Sequence, residues 1–138
     1  MTAVFWTETG PGPDPKHYLN NNVVEQIIEL ELRGEGWWVI FGKLVVENLD
    51  NGAQSGTALL RAGINGANLL DQSDWRISGG DNDVQSCSLQ GLWEVTATPG
   101  SNLVDIAASA VNSQANEVSL IAIKVEGKNV VKETGLGA

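Results

Sequence analysis

Few side chains in this chain of 138 residues could carry out catalysis. His17 is its only histidine and Cys87 its only cysteine, and neither stands in a motif that activates a nucleophile, such as a Gly-x-Ser-x-Gly elbow. A glycine-rich phosphate loop followed by lysine is also missing from the sequence. Paired carboxylates among the 17 acidic residues could still support acid–base catalysis. The sequence therefore leans away from an enzyme and predicts no cofactor.

Trp75 is the best candidate for binding a ligand, because it stands in a polar stretch between Asp74 and Arg76. An exposed indole ring packs well against the apolar face of a sugar ring. The charged neighbours would donate or accept hydrogen bonds to sugar hydroxyls. We therefore predict a ligand site made by Asp74, Trp75 and Arg76. The alternative is that Trp75 fills the core.

The turn Asp81-Asn82-Asp83 offers oxygen ligands of the kind that Ca²⁺ takes. It lacks the twelve-residue loop and the closing glutamate of an EF-hand. Asp81 and Asp83 are therefore candidate calcium ligands, and the alternative is an ordinary solvated turn.

The stretch 36–48 is the longest apolar run, so we expect the other elements, and the candidate residues on them, to be arranged around it. Its β-branched and aromatic residues, two glycines and the following Asp50-Asn51-Gly52 turn favour a strand over a helix. Side chains alternate between the two sides of a strand, so one side of this strand points into a core, while the opposite side carries Trp37 and Phe41. A sandwich has one interior, so we predict that Trp37 and Phe41 meet another copy of the chain. The predicted core face consists of Trp38, Ile40, Leu44 and Val46.

The remaining chain reads as further short strands joined by Gly-, Asn- and Asp-rich turns, without a convincing amphipathic helix. This pattern predicts an all-β fold: one antiparallel β-sandwich domain with about eight to ten strands. Residues 22–32 alternate as a strand and are predicted to form a hairpin with 36–48. The domain spans 22–126. A Pro/Gly-rich N-terminal arm (1–21), unfit for ladder pairing, precedes it, and a tail (127–138) follows.

Two stretches, 36–43 and 119–125, resemble strands of the jelly-roll superfamily of tumour necrosis factor and the complement globular head. In that superfamily a Gly-aromatic strand fills the core and a late apolar strand closes the sheet beside it. The resemblance implies a jelly roll of at most ten strands, assembled as a compact homotrimer and used for binding. Some bacterial members look like lectins that hold sugars between protomers.

Charge and segment composition exclude several partners. The net charge of −9 repels phosphate backbones, which argues against nucleic acid. No apolar run is long enough for a membrane span, and the N-terminus shows no signal peptide. We expect cytoplasmic synthesis, and a non-classical route if the protein is released.

Three functions follow from these observations. The first is a non-enzymatic, homotrimeric binding module that recognises carbohydrate or another surface ligand. The second is a structural subunit of a larger particle or fibre. The third is a small β-barrel enzyme, a lyase, isomerase or cyclase, that uses a cavity.

Overall fold

Nine β-strands and one short 3₁₀ turn make up the part of the chain that this computed structural model describes, residues 4–9, 17–80 and 82–126. For residues 4–9 only the backbone is described. The predicted all-β, single-domain sandwich is confirmed. The strands are β1 (Val4–Thr9), β2 (His17–Leu19), β3 (Glu25–Glu31), β4 (Gly36–Asn48), β5 (Gln54–Ala62), β6 (Asn68–Ile77), β7 (Val84–Val95), β8 (Leu103–Ala110) and β9 (Ser113–Val125).

The strands form two antiparallel sheets that face each other. Sheet A has the order β1-β9-β4-β7, with β2 also paired to β9, and sheet B has the order β3-β8-β5-β6. From β3 to β5 and again from β7 to β9, consecutive strands alternate between the sheets. This alternation is the jelly-roll arrangement, and it leaves one apolar interior between the sheets.

Strand β4 lies between β7 and β9 in the middle of sheet A and supplies much of the core. The predicted core face of this strand is confirmed, because Trp38, Ile40, Leu44 and Val46 are fully buried. The indole N–H of Trp38 donates to the carbonyl of Gly34 at 3.1 Å, so its one polar group is satisfied.

The predicted hairpin of residues 22–32 with 36–48 was wrong. Strand β3 pairs with β8 in sheet B, whereas β4 pairs with β7 and β9 in sheet A. Gly34 and Gly36 have φ angles of 120° and 124°, which side-chain-bearing residues rarely adopt. The glycines therefore let the chain cross from one sheet to the other instead of folding back.

The N-terminal residues take part in sheet A, so the prediction that the arm stays out of a ladder was wrong for its described parts. Strand β1 pairs with β9 from Val4 to Thr9, and β2 pairs with the start of β9. The three prolines of this region lie at 11–15, outside the described residues, as does the predicted tail 127–138.

Among the described residues, no helix is long and apolar enough to cross a membrane.

Candidate functional site

Trp75 does not form the predicted platform, because its side chain is only 2% exposed. It points into the core from β6, opposite Gly56 of β5 in the register. A Cβ at Gly56 would overlap the Trp75 ring and lie 2.6 Å from the Ser109 carbonyl oxygen. The indole therefore covers the space that the glycine leaves. The polar neighbours that suggested exposure simply occupy the opposite face of the strand.

The two charged neighbours of Trp75 are exposed on the outer face of sheet B. The Asp74 carboxylate accepts hydrogen bonds from the Thr57 hydroxyl at 2.9 Å and from the Gln72 amide at 3.1 Å. Arg76 lies farther along β6. The structure thus separates Asp74 and Arg76 from the ring that they were predicted to assist.

The predicted calcium ligands are only partly described. Asp81 lies outside the described residues, and the Asp83 side chain is exposed. The turn is held by main-chain hydrogen bonds of 2.8 Å, one from the Asn48 N–H to the Asp83 carbonyl and one from the Asn82 N–H to the Asn48 carbonyl. No group of three potential metal ligands occurs in the described part of the chain.

His17 and Cys87, the two residues best suited to chemistry, lie apart. The His17 imidazole lies 3.4 Å from the Glu25 carboxylate at the surface. Cys87 is buried, and this burial raises the pKa of its thiol although a hydrogen bond with Ser73 acts in the opposite direction. A buried, protonated thiol is a poor nucleophile.

The outer face of sheet A carries a continuous group of apolar side chains, which we call the apolar face. Phe41 lies at its centre on β4 and is 43% exposed, next to Ile121 of β9, which is 39% exposed. Leu92 of β7 is 44% exposed and lies opposite Val39. This confirms that Trp37 and Phe41 point away from the core. The apolar face consists of Trp37, Val39, Phe41, Leu92, Ile121, Ile123 and Val125.

The apolar face gives way to polar residues along the strands. Lys43 lies between Ser88 and Ser119 in the register. Farther on, the Glu47 carboxylate accepts hydrogen bonds from the side-chain amides of Gln114 at 3.3 Å and Asn116 at 2.7 Å. The apolar group is therefore bounded on this side by polar side chains, of which the Glu47 carboxylate is hydrogen-bonded.

A second feature, which we call the end pocket, is an open cavity of about 590 Å³ where β7 ends. Its walls are the connection between β5 and β6 (63–68) and the loop that follows β7 (96–101). Trp37, Leu92, Trp93 and Glu94 line it from sheet A. Its volume falls in the range of small-molecule sites, and its described lining combines aromatic and aliphatic groups with the charge of Glu94.

The two walls of the end pocket hold each other in place. Ile64 packs directly over Gly100, where a Cβ would overlap its side chain, and Gly100 has a φ angle of 81°. Behind the wall formed by residues 63–68, Arg61 donates two hydrogen bonds to Asp105, at 2.8 and 2.7 Å. The Arg61 side chain also packs against Gly66. The ion pair therefore supports the turn that carries Ile64.

Most polar groups around the end pocket bond within the protein. The Trp93 indole donates to the Ser101 carbonyl at 2.7 Å, and the Ser101 hydroxyl donates to the Thr96 carbonyl at 2.8 Å. The Asn68 amide donates to the Ala62 carbonyl at 3.2 Å. Glu94 differs, since it is exposed and makes no hydrogen bond or ion pair with the described residues.

Sequence reasoning did not find the end pocket. Residues 63–68 and 98–102 carry turn chemistry, which predicts where the chain bends but not which bends meet. Trp93 is partly buried against the core, whereas its neighbour Leu92 points outward. The sequence offered one clue to this pocket, the alternation of side chains after Gly91, which puts Leu92 and Glu94 on the face opposite Trp93.

No protein-family model matches this chain, and no curated protein matches it in sequence. Among solved structures it is similar to the Stig cyclase Fisc from Fischerella sp. TAU, solved in complex with (3Z)-3-(1-methyl-2-pyrrolidinylidene)-3H-indole. The TM-score is 0.50 at 13% identity, over 91% of this chain and 77% of the cyclase chain. At this identity the likeness shows the fold alone.

Two infectious bursal disease virus structures are similar as well. The Gx strain structure has a TM-score of 0.48 at 13% identity, over 94% of this chain. The VP2 subviral particle has a TM-score of 0.47 at 12% identity, over 93% of this chain. This chain spans 33% of the length of each viral chain. Membership of the tumour necrosis factor superfamily stays a prediction, whereas the jelly-roll-like fold that it implied is present.

Proposed function

We propose that this protein is a non-enzymatic, self-associating jelly-roll module whose apolar face packs against another copy of the chain. The observation that carries this proposal is the exposure of Phe41, Leu92 and Ile121 on three adjacent strands of sheet A. Apolar patches of this kind on a soluble domain mark interaction surfaces. Self-association is consistent with two predictions from the sequence, the interface at Trp37 and Phe41 and the role as a subunit of a larger assembly.

The energetic reason is that the space between the two sheets, the interior of the sandwich, is already filled by the core. Sheet B covers the inner face of sheet A, so among the described residues the side chains of the apolar face have no second layer of the sandwich to pack against. Removing apolar surface from water contributes about 25 cal/mol per Å². A flat sheet face with several large side chains therefore favours association once the chain concentration is sufficient.

Charge restricts where two copies of the chain can meet. The chain carries a net charge of −9, so two copies repel each other over most of their surfaces. The acid nearest to the apolar face on the same side of sheet A is Glu94, opposite Trp37 at one end, so two copies approach at the lowest electrostatic cost around Phe41. Contacts between identical patches are also self-complementary under two-fold symmetry. The superfamily resemblance instead implies three copies, and the subunit number is a direct readout of the test.

The test is native mass spectrometry with sedimentation velocity on the wild-type chain and on Phe41→Asp. The wild type should be an oligomer and the variant a monomer, because the new carboxylate would be buried without a partner. Val84→Asp is the matched control. Val84 is 59% exposed on the same side of β7 but pairs with Glu47, beyond the apolar face, so this variant should stay oligomeric. A monomeric wild type at about 100 µM, a concentration at which interfaces of micromolar affinity are filled, would refute the proposal.

Because Trp75 is buried, it cannot pack against a sugar ring, as the predicted lectin-like function required. The aromatic groups that a ligand could reach lie instead at the end pocket, around Trp37 and Trp93. Binding of a ligand therefore belongs to that pocket.

A further inference from the structure

We propose that the end pocket binds a small organic cation that carries an apolar ring, such as an arylalkyl ammonium ion. The ring would lie among Trp37, Leu92 and Ile64, and the cationic group would meet Glu94. The lining of the pocket is supplied by one chain, although Trp37 and Leu92 belong to the apolar face as well, so self-association would cover part of the pocket rather than complete it.

The first observation is the position of Glu94 beside Trp37. These residues are direct partners in the β4–β7 register, so their side chains leave the same face of sheet A. Directly opposite residues in antiparallel strands have Cβ atoms about 4.5–5.5 Å apart. A cation between them would contact a carboxylate and the face of an indole ring, and both attract positive charge.

The second observation is the shortage of free polar groups elsewhere in the pocket. The side-chain donors of Asn68, Trp93 and Ser101 already bond to main-chain carbonyls. A carbohydrate needs several directed hydrogen bonds around its ring, and these walls leave chiefly the Thr96 and Thr98 hydroxyls to supply them. A ligand with one charged group and an otherwise apolar body matches the lining better.

The third observation is the charge of the whole protein. Among the described residues that line the pocket, Glu94 is the only charged one. With a net charge of −9, the protein also attracts cations and repels anions over longer distances. The pocket therefore discriminates between ligands of equal size by the sign of their charge.

The test uses three probes that share a phenylbutyl body: 4-phenylbutylamine, 4-phenylbutanol and 4-phenylbutyrate. Each is titrated at neutral pH into the full-length chain, with indole N–H signals assigned by single Trp→Phe variants and followed by NMR. The amine should bind tightest, shifting the Trp37 and Trp93 signals, and the carboxylate should bind least. Equal affinity for the amine and the alcohol would refute the proposed charge selectivity.

Charge-matched variants locate the effect. Glu94→Gln should weaken amine binding about two- to fivefold, as expected for an exposed ion pair, and leave the alcohol unchanged. Glu117→Gln changes the net charge equally but lies opposite Val45, outside the pocket, and should leave amine binding unchanged. Equal losses in both variants would show general charge attraction and overturn the site.

Phe41→Asp separates this inference from the proposed function. Phe41 does not line the end pocket, and a monomer leaves Trp37 and Leu92 uncovered, so a monomeric Phe41→Asp chain should bind the amine at least as tightly as the wild type does. Loss of binding in that variant would refute a site that is complete within one chain. The absence of any amine-induced shift at millimolar concentration would refute the site altogether.

Discussion

Replacing Asp105 with alanine tests the ion pair that supports the end pocket. The side chains of Asp105 and Arg61 are 4% and 15% exposed, and the carboxylate accepts two hydrogen bonds from the guanidinium. Removing one partner of a buried pair costs about 3–5 kcal/mol, because it leaves an uncompensated charge. Since Arg61 retains some access to water, we expect a loss of about 3 kcal/mol.

Urea unfolding followed by tryptophan fluorescence measures this loss, at one protein concentration because self-association would shift the midpoint. The melting temperature should fall by roughly 10 °C for a domain of this size. Asp74→Ala is the control, because Asp74 is exposed and its loss should cost about 0.5 kcal/mol or less.

The double variant Arg61→Met/Asp105→Leu distinguishes a lost charge partner from lost packing. Because it removes both charges, it should be clearly more stable than Asp105→Ala. A loss below about 1 kcal/mol for Asp105→Ala would refute the reasoning, since it would show that water screens the pair. A double variant no more stable than the single one would do the same.

Two further predictions concern the core. Gly56→Ala should destabilise the fold by about 2 kcal/mol in urea unfolding, because its Cβ would overlap Trp75; Gly52→Ala, with no atom within 4 Å of the new Cβ, should change little. For Cys87, burial raises the thiol pKa above its ordinary 9.0, so the unfolded chain loses this proton first as pH rises. Stability should therefore decline above about pH 9, and a Cys87→Ala variant should lack this contribution; an unchanged pH profile would contradict it.

The sequence alone determined the fold class and the central strand. Stretch 36–48 became β4 with the predicted ends, and its alternation placed Trp38 inward and Phe41 outward. These features are local, because strand preference and the two-residue period act between neighbours in the chain. Gly-, Asn- and Asp-rich turns likewise predicted that the rest of the chain forms short strands, without any knowledge of their partners.

Strand pairing was decided by the tertiary structure. Residues 22–32 precede β4 closely, yet β3 joins the opposite sheet and pairs with β8. Sequence proximity favours a hairpin, and only the packing of two complete sheets shows that the chain crosses between them. The same holds for β1, whose partner β9 is more than 100 residues away.

The sites depended on tertiary structure even more strongly. Trp75 stands among polar residues in the sequence, but its ring packs in the core, in the space that is open because Gly56 has no side chain. Strand alternation gave only the face on which Glu94 lies, since the importance of Glu94 comes from lying opposite Trp37 on the neighbouring strand and near two distant loops. Alternation assigns each side chain to a face, whereas a site needs residues from several strands to converge. That convergence is set by register and loop packing, which no local pattern encodes.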